Sequence, residues 1–114
     1  MLVNSLSFGS VTIDGKTYFK DIVIDGGKIK KRKKTESKKY SSRFGHTPLS
    51  TDENIPWKCK KLIVGDGHSS ALPVMDEVKN IAQKNNVDLV LMPTPEAIKH
   101  INDTDTNFVL HLTC

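Results

Sequence analysis

Lys60-Lys61-Leu62-Ile63-Val64-Gly65-Asp66-Gly67-His68 joins a basic lead-in, an aliphatic run and a glycine-punctuated turn. A short apolar run bounded in this way predicts a buried β-strand that stops at Gly65. Downstream, Leu72, Met75, Val78, Ile81 and Ala82 recur at helical spacing, with Ser69 or Ser70 as the cap, Pro73 in the first turn and Asn85-Asn86 at the close. Val87 to Met92 reads as a second strand, Pro95 to Asn102 as a second helix capped by Thr94, and Phe108 to Leu112 as a third strand. The expectation for residues 60–114 is a right-handed parallel βαβαβ unit.

Open α/β sheets place ligands beyond the carboxyl ends of their strands. Gly65, Asp66, Gly67, His68, Thr94 and Thr113 fall on that rim and form a candidate ligand-binding set. Two helix N-termini opening there would present free N–H groups and positive dipole ends to a phosphate, carboxylate or carbonyl. Gly65-x-Gly67 lacks the third glycine and the downstream acid of a dinucleotide fingerprint, and Asp66 would repel an anion set against it.

Upstream, Phe8, Val11 and Ile13 lead into Asp14-Gly15, a tight-turn dipeptide. Tyr18, Phe19, Ile22 and Ile24 form the next strand signal, and Asp25-Gly26-Gly27 turns the chain into Lys28-Ile29-Lys30. Residues 1–32 therefore read as a three-strand antiparallel meander. Residues 33–59 read as loop with one short helix, because Ser50-Thr51-Asp52-Glu53 has the form of a capping box and Pro56 limits what it starts. The fold class is α/β: a single domain over residues 1–114, layered β+α/β/α, with a mixed central sheet, a C-terminal parallel βαβαβ unit and an N-terminal antiparallel hairpin layer.

The charge is concentrated. Lys28, Lys30, Lys31, Arg32, Lys33, Lys34, Lys38 and Lys39 face one acid, Glu36, so residues 28–39 carry +7 in a chain whose total is +4. The rest of the chain is net negative. These eight residues are the candidate nucleic-acid-binding set, with Tyr40 and Phe44 nearby for base stacking. A solvated strand end and loop is the competing reading, and no nucleic-acid-binding motif accompanies the run.

With 37% apolar residues, the composition fits a packed globule. No run approaches the roughly 18 apolar residues of a membrane span, and the N-terminus lacks a signal-peptide layout, so a cytoplasmic protein without membrane contact is expected. Cys59 and Cys114 are too few for a disulfide framework, lack metal-ligand spacing and are expected reduced. Strand alternation puts His111 and Cys114 on opposite faces, which argues against a shared metal. No catalytic set, metal site or cofactor is expected. His111 and Cys114 would be the participants if an activity existed.

Phe8-Gly9-x-Val11-x-Ile13-Asp14-Gly15, Asp21-Ile22-Val23-Ile24, Gly65-Asp66-Gly67, Thr94-Pro95-Glu96-Ala97, Asn102 and His111-Leu112-Thr113-Cys114 follow one another over almost the whole chain. In this order they resemble a family of small domains of unknown function, found in archaea, bacteria and eukaryotes. The family includes the adipogenesis-associated domain protein and a mitochondrial complex I assembly factor. The resemblance implies a layered α/β fold without established enzymatic activity, and assembly or regulatory partnerships in the eukaryotic members. Members often carry Gly-Thr-Gly where this chain has Gly65-Asp66-Gly67.

The leading expectation is a non-catalytic protein-interaction or assembly domain with an unidentified protein partner, monomeric or weakly self-associating. The alternatives are a binding module for a small anionic ligand or nucleotide at the rim, and nucleic-acid binding through residues 28–39.

Overall fold

The computed structural model describes residues 1–114 and contains eight strands in two sheets. Strands β1 (Val3–Ser7), β2 (Ser10–Ile13) and β3 (Lys16–Tyr18) form an antiparallel sheet in the order β1-β2-β3. The remaining five are β4 (Ile22–Asp25), β5 (Lys28–Lys31), β6 (Lys61–Gly65), β7 (Asp88–Met92) and β8 (Thr106–Leu110). They form one mixed sheet in the order β5-β4-β8-β6-β7. Strands β7, β6 and β8 are mutually parallel, whereas β4 runs antiparallel to both β8 and β5.

The inner strands β4, β8 and β6 are buried on both faces, which explains their near-continuous aliphatic runs. Val23, Leu62, Val64 and Val109 point to one core, closed by Val78 and Ala82 of helix α2 (Asp76–Lys84; the single-turn helix Ser41–Phe44 is α1) and by Leu49 and Leu72. Ile22, Ile24, Ile63, Phe108 and Leu110 point to the other, closed by Val11 and Ile13 of the small sheet and by Ala97 of helix α3 (Thr94–Ala97). Alternate residues of a strand serve opposite faces, so each central strand contributes to both cores. The layered α/β architecture, with its N-terminal antiparallel hairpin layer and its parallel C-terminal strands, is thus present.

Local differences from the expectations have identifiable causes. The stretch expected as one meander supplies both sheets. The chain leaves the small sheet at Tyr18 and enters the central sheet at Ile22, where the Asp21 carboxylate accepts the Leu112 N–H at 2.9 Å and so ties the crossing to the end of β8. The α2 helix begins at Asp76 rather than near Ser70, and Met75 is its N-cap residue. Leu72 and Met75 are buried from an extended segment, held by hydrogen bonds from the Leu49 N–H to the Pro73 carbonyl and from the Met75 N–H to the Leu49 carbonyl. Residues 34–40, expected as loop, form a 3-10 helix that runs into α1. No helix is long and apolar enough to cross a membrane.

Candidate functional site

Strand register assembles the most unusual group of side chains. Ile22 pairs with Leu110 on one side and with Lys31 on the other, so the residues just outside these pairs, Asp21, His111 and Arg32, fall in a row across β5, β4 and β8. Arg32 is buried to 2% exposure although it lies in the most basic stretch of the chain. Its Nε donates to Glu53 Oε1 at 2.7 Å and its Nη2 to Glu53 Oε2 at 2.9 Å, a bidentate fork. Its Nη1 donates to Asp21 Oδ2 at 2.8 Å and its Nη2 also to the Pro48 carbonyl at 3.0 Å. Ser37 donates to Glu53 and shares a 2.6 Å hydrogen bond with Ser50.

Asp21 joins this network to the end of β8. His111 Nδ1 lies 2.7 Å from Asp21 Oδ2, and His111 Nε2 lies 3.3 Å from Thr113 Oγ1. Burial alone would raise the Asp21 pKa. The hydrogen bond and charge of His111, the Leu112 N–H and the Arg32 guanidinium outweigh it and hold the carboxyl at about 2. Arg32 is likewise desolvated, but Glu53 and Asp21 keep its guanidinium more basic than usual. Asp21 is therefore an anion and an acceptor only.

A hollow of about 340 Å³ opens above this floor, lined by Phe19, Lys20, Asp21, Lys31, Arg32, Lys34, Thr35, Lys38 and Thr113. Lys20, Lys31, Lys34 and Lys38 are exposed and reach it from the β3–β4 connection, β5 and the 3-10 helix. None of the four has a carboxylate partner, whereas Lys30 pairs with Asp25, Lys39 with Asp52, Lys60 with Asp105 and Lys99 with Glu96. A second hollow of about 360 Å³ shares Phe19, Lys20, Asp21 and Lys31 and adds Tyr18, Ile22 and Ile29 as apolar wall. A larger depression of about 620 Å³ involves Lys60, Lys61, Asp88 and Asp103; it carries both signs of charge and has no apolar wall. Its two lysines face two aspartates, and it offers no surface for a ligand's carbon skeleton.

The basic set from the sequence is thus divided. Lys31, Lys34 and Lys38 gather at the hollow, and Lys28 and Lys33 are exposed outside its lining. Lys30 and Lys39 are paired with carboxylates. Arg32 is removed from any phosphate-backbone interface by its burial against Glu53 and Asp21. Ser50 and Glu53 do not make the capping box expected of them. The Glu53 side chain binds Arg32 and Ser37, and the segment is a turn closed by Glu53 N–H to the Ser50 carbonyl.

Gly65, Gly67, His68, Thr94 and Thr113 do come together, and the chain itself fills the space between them. The Gly67 N–H donates to Thr94 Oγ1 at 3.0 Å, which in turn donates to the His111 carbonyl at 2.6 Å. His68 N–H donates to the Thr113 carbonyl, and the Ser69 and Ala71 N–H groups donate to the Cys114 carbonyl. A Cβ on Gly67, whose φ is +107°, would stand 2.3 Å from the Cys114 carbonyl carbon. Gly67 thus accommodates residues 113 and 114, whereas Gly65 makes room for Thr94 and Leu110. Thr94 is the first residue of α3 rather than its cap, its hydroxyl being committed to residues 67 and 111. Asp66 Oδ1 and His68 Nε2 are buried without a partner, and the His68 ring lies 5.6 Å from that of Phe8.

No three His, Cys, Asp or Glu residues are grouped to hold a metal ion. Cys59 and Cys114 are both free thiols. Burial pushes the Cys59 thiol up, away from nucleophilic character, and its Sγ contacts the Pro56 carbonyl at 3.5 Å.

Among solved structures, the chain is similar to a conserved hypothetical protein from Pyrococcus horikoshii OT3, with 26% identity, a TM-score of 0.81 and complete coverage of both chains. It is also similar to a protein designated MT938, at 24% identity and a TM-score of 0.70, over 99% of this chain and 98% of the other. A third likeness, to an outer membrane protein from Bartonella henselae, has 11% identity and a TM-score of 0.66, over 98% and 94% of the two chains. The second and third show a shared fold. No protein-family model and no curated protein matches the chain.

Proposed function

We propose that this protein is a non-catalytic binding module for a small phosphate-bearing anion, held in the hollow ringed by Lys20, Lys31, Lys34 and Lys38. One observation carries the reading: four lysines without a carboxylate partner line one concavity large enough for a small ligand. Like charges around a hollow focus a positive potential there, and an anion relieves their mutual repulsion. At about 1 kcal/mol for each close pair in water, a phosphate dianion among four lysines gains several kcal/mol, an affinity on the order of micromolar to millimolar.

Calorimetric titration of inorganic phosphate into the full chain, at low and moderate salt, tests this reading. Saturable binding is expected, weakened at least about tenfold by Gln at positions 20, 31, 34 and 38 together. A control with Gln at Lys58, Lys79, Lys84 and Lys99 removes the same charge elsewhere. Equal loss in both variants would reduce the effect to net charge and sink the proposal.

A second reading is a partner-protein or assembly role in a reducing, cytosolic setting, which the family resemblance motivates and two free thiols accompany. Two large apolar side chains at the end of β8 favour it. Phe8 is 67% exposed with its ring tilted against that of His68, and Phe19 is 75% exposed and shares the hollow with Thr113. Crosslinking should then recover a specific partner that Phe8→Ser with Phe19→Ser no longer captures. Identical recovery by the variant would count against this role.

A further inference from the structure

We propose that the hollow selects phosphorylated sugars or polyols, reading ligand hydroxyls at its floor and phosphate at its lysine rim. This rests on the anion-binding reading above and adds the part of the ligand that lies away from the charge.

The floor accepts hydrogen bonds. An ionised carboxylate has about four acceptor positions. Asp21 receives Arg32 Nη1 and His111 Nδ1 at Oδ2 and the Leu112 N–H at Oδ1, which leaves one position without a donor from the protein on a residue that lines the hollow. Because the Asp21 carboxylate only accepts, His111 Nδ1 carries the proton of their 2.7 Å contact. The Thr113 hydroxyl lies 3.3 Å from His111 Nε2 and lines the hollow, where its oxygen is the second acceptor. The Arg32 donors are all engaged, by Glu53, Asp21 and the Pro48 carbonyl, so the guanidinium directs no N–H at a ligand's hydroxyls.

A bare phosphate satisfies the lysines and leaves the two floor acceptors unanswered. A ligand carrying hydroxyl groups a few bonds from its phosphate satisfies both ends at once. Phe19, on the wall between the two hollows, offers an apolar face to the C–H side of a sugar ring.

The test compares ribose 5-phosphate with n-butyl phosphate, a monoester of similar reach without hydroxyls, each titrated into the full chain at pH 8. Ribose 5-phosphate should bind about tenfold or more tightly, since unanswered polar groups in a site are costly. Thr113→Val should cut that advantage to about threefold while leaving butyl phosphate unchanged, and Thr113→Ser should restore it. Retained butyl phosphate binding reports that the valine variant is folded. Equal affinity for the two ligands, or an advantage that survives Thr113→Val, overturns the hydroxyl reading and leaves the lysine ring standing. Binding of neither ligand overturns both proposals.

Discussion

Replacing Arg32 by Met tests the central structural claim, that one guanidinium ties three segments of the chain together. Its side chain has no exposure, that of Glu53 has 1% and that of Asp21 10%. The substitution keeps a long apolar stem and deletes four donated hydrogen bonds: two to Glu53, one to Asp21 and one to the Pro48 carbonyl. Glu53 then becomes a buried carboxylate with only Ser37 to stabilise it. Breaking a buried ion pair by removing one partner costs about 3–5 kcal/mol, because the remaining charge is left uncompensated. The orphaned carbonyl adds roughly 1 kcal/mol. A loss of about 4–6 kcal/mol compares with a typical total of about 5–15 kcal/mol.

At about 4 °C per kcal/mol for a domain of this length, the midpoint should fall by roughly 15–25 °C. Urea unfolding followed by circular dichroism, together with a calorimetric scan at pH 7, reads the loss. Combining Arg32→Met with Glu53→Leu removes the stranded charge as well and should recover at least half of it, since a buried pair is often replaceable by apolar side chains. Arg32→Lys keeps the charge without the bidentate fork and should fall between wild type and Met. A Met variant within about 1 kcal/mol of wild type would refute this account of the network. So would a double variant no more stable than the single one.

Acid should weaken the same region. The Asp21 carboxyl is lowered from 3.8 to about 2, so its folded form binds its proton less readily than the unfolded chain does. Its contribution is complete above about pH 4 and is lost as the pH falls toward 2, a change of about 2 kcal/mol. Urea titrations at pH 5, 4, 3 and 2 should show this fall, and Asp21→Asn should flatten it. An unchanged pH profile in that variant would assign the acid loss to other groups. At the rim, Gly67→Ala puts a Cβ against the Cys114 backbone at a positive φ, and should cost about 2–4 kcal/mol through strain and overlap. Wild-type stability in that variant would show that residues 113 and 114 can move aside.

The three parallel strands were legible because each is a short aliphatic run stopped by a polar or glycine-rich turn. Lys61–Gly65, Asp88–Met92 and Thr106–Leu110 lie within two residues of their expected bounds. The turns at Asp14-Gly15 and Gly26-Gly27 were legible too, and all four residues have positive φ. The helix start was not. Leu72 and Met75 fit the period of α2 because both are buried, yet backbone bonds between Leu49 and residues 73 and 75 hold this segment extended. Burial and helical phase coincide there, and sequence spacing cannot separate them.

Charge misled in a similar way. A lysine-rich run suggests a solvated surface, and Arg32 is the single arginine between Lys28 and Lys39. That substitution of fork for point charge was the available signal, since only a guanidinium pairs bidentately with a carboxylate. Asp21, interrupting an apolar strand pattern, and Glu53, in an apparent capping box, were its partners. Their distance along the chain hid the connection.

The register of β5, β4 and β8 makes the floor of the hollow and the fold the same structure. Asp21, Arg32 and His111 are aligned by backbone pairing that begins at the next residues, so a change among them reaches Glu53, Leu112 and the end of the central sheet. The rim differs. Lys20, Lys31, Lys34 and Lys38 have no carboxylate partner and stand in solvent, where substitutions shift stability by no more than about 0.5 kcal/mol. Their mutual repulsion makes removal neutral or slightly favourable for the empty protein. Floor substitutions should therefore report first on unfolding, and rim substitutions first on ligand, although the two sets line one hollow only about 340 Å³ in volume.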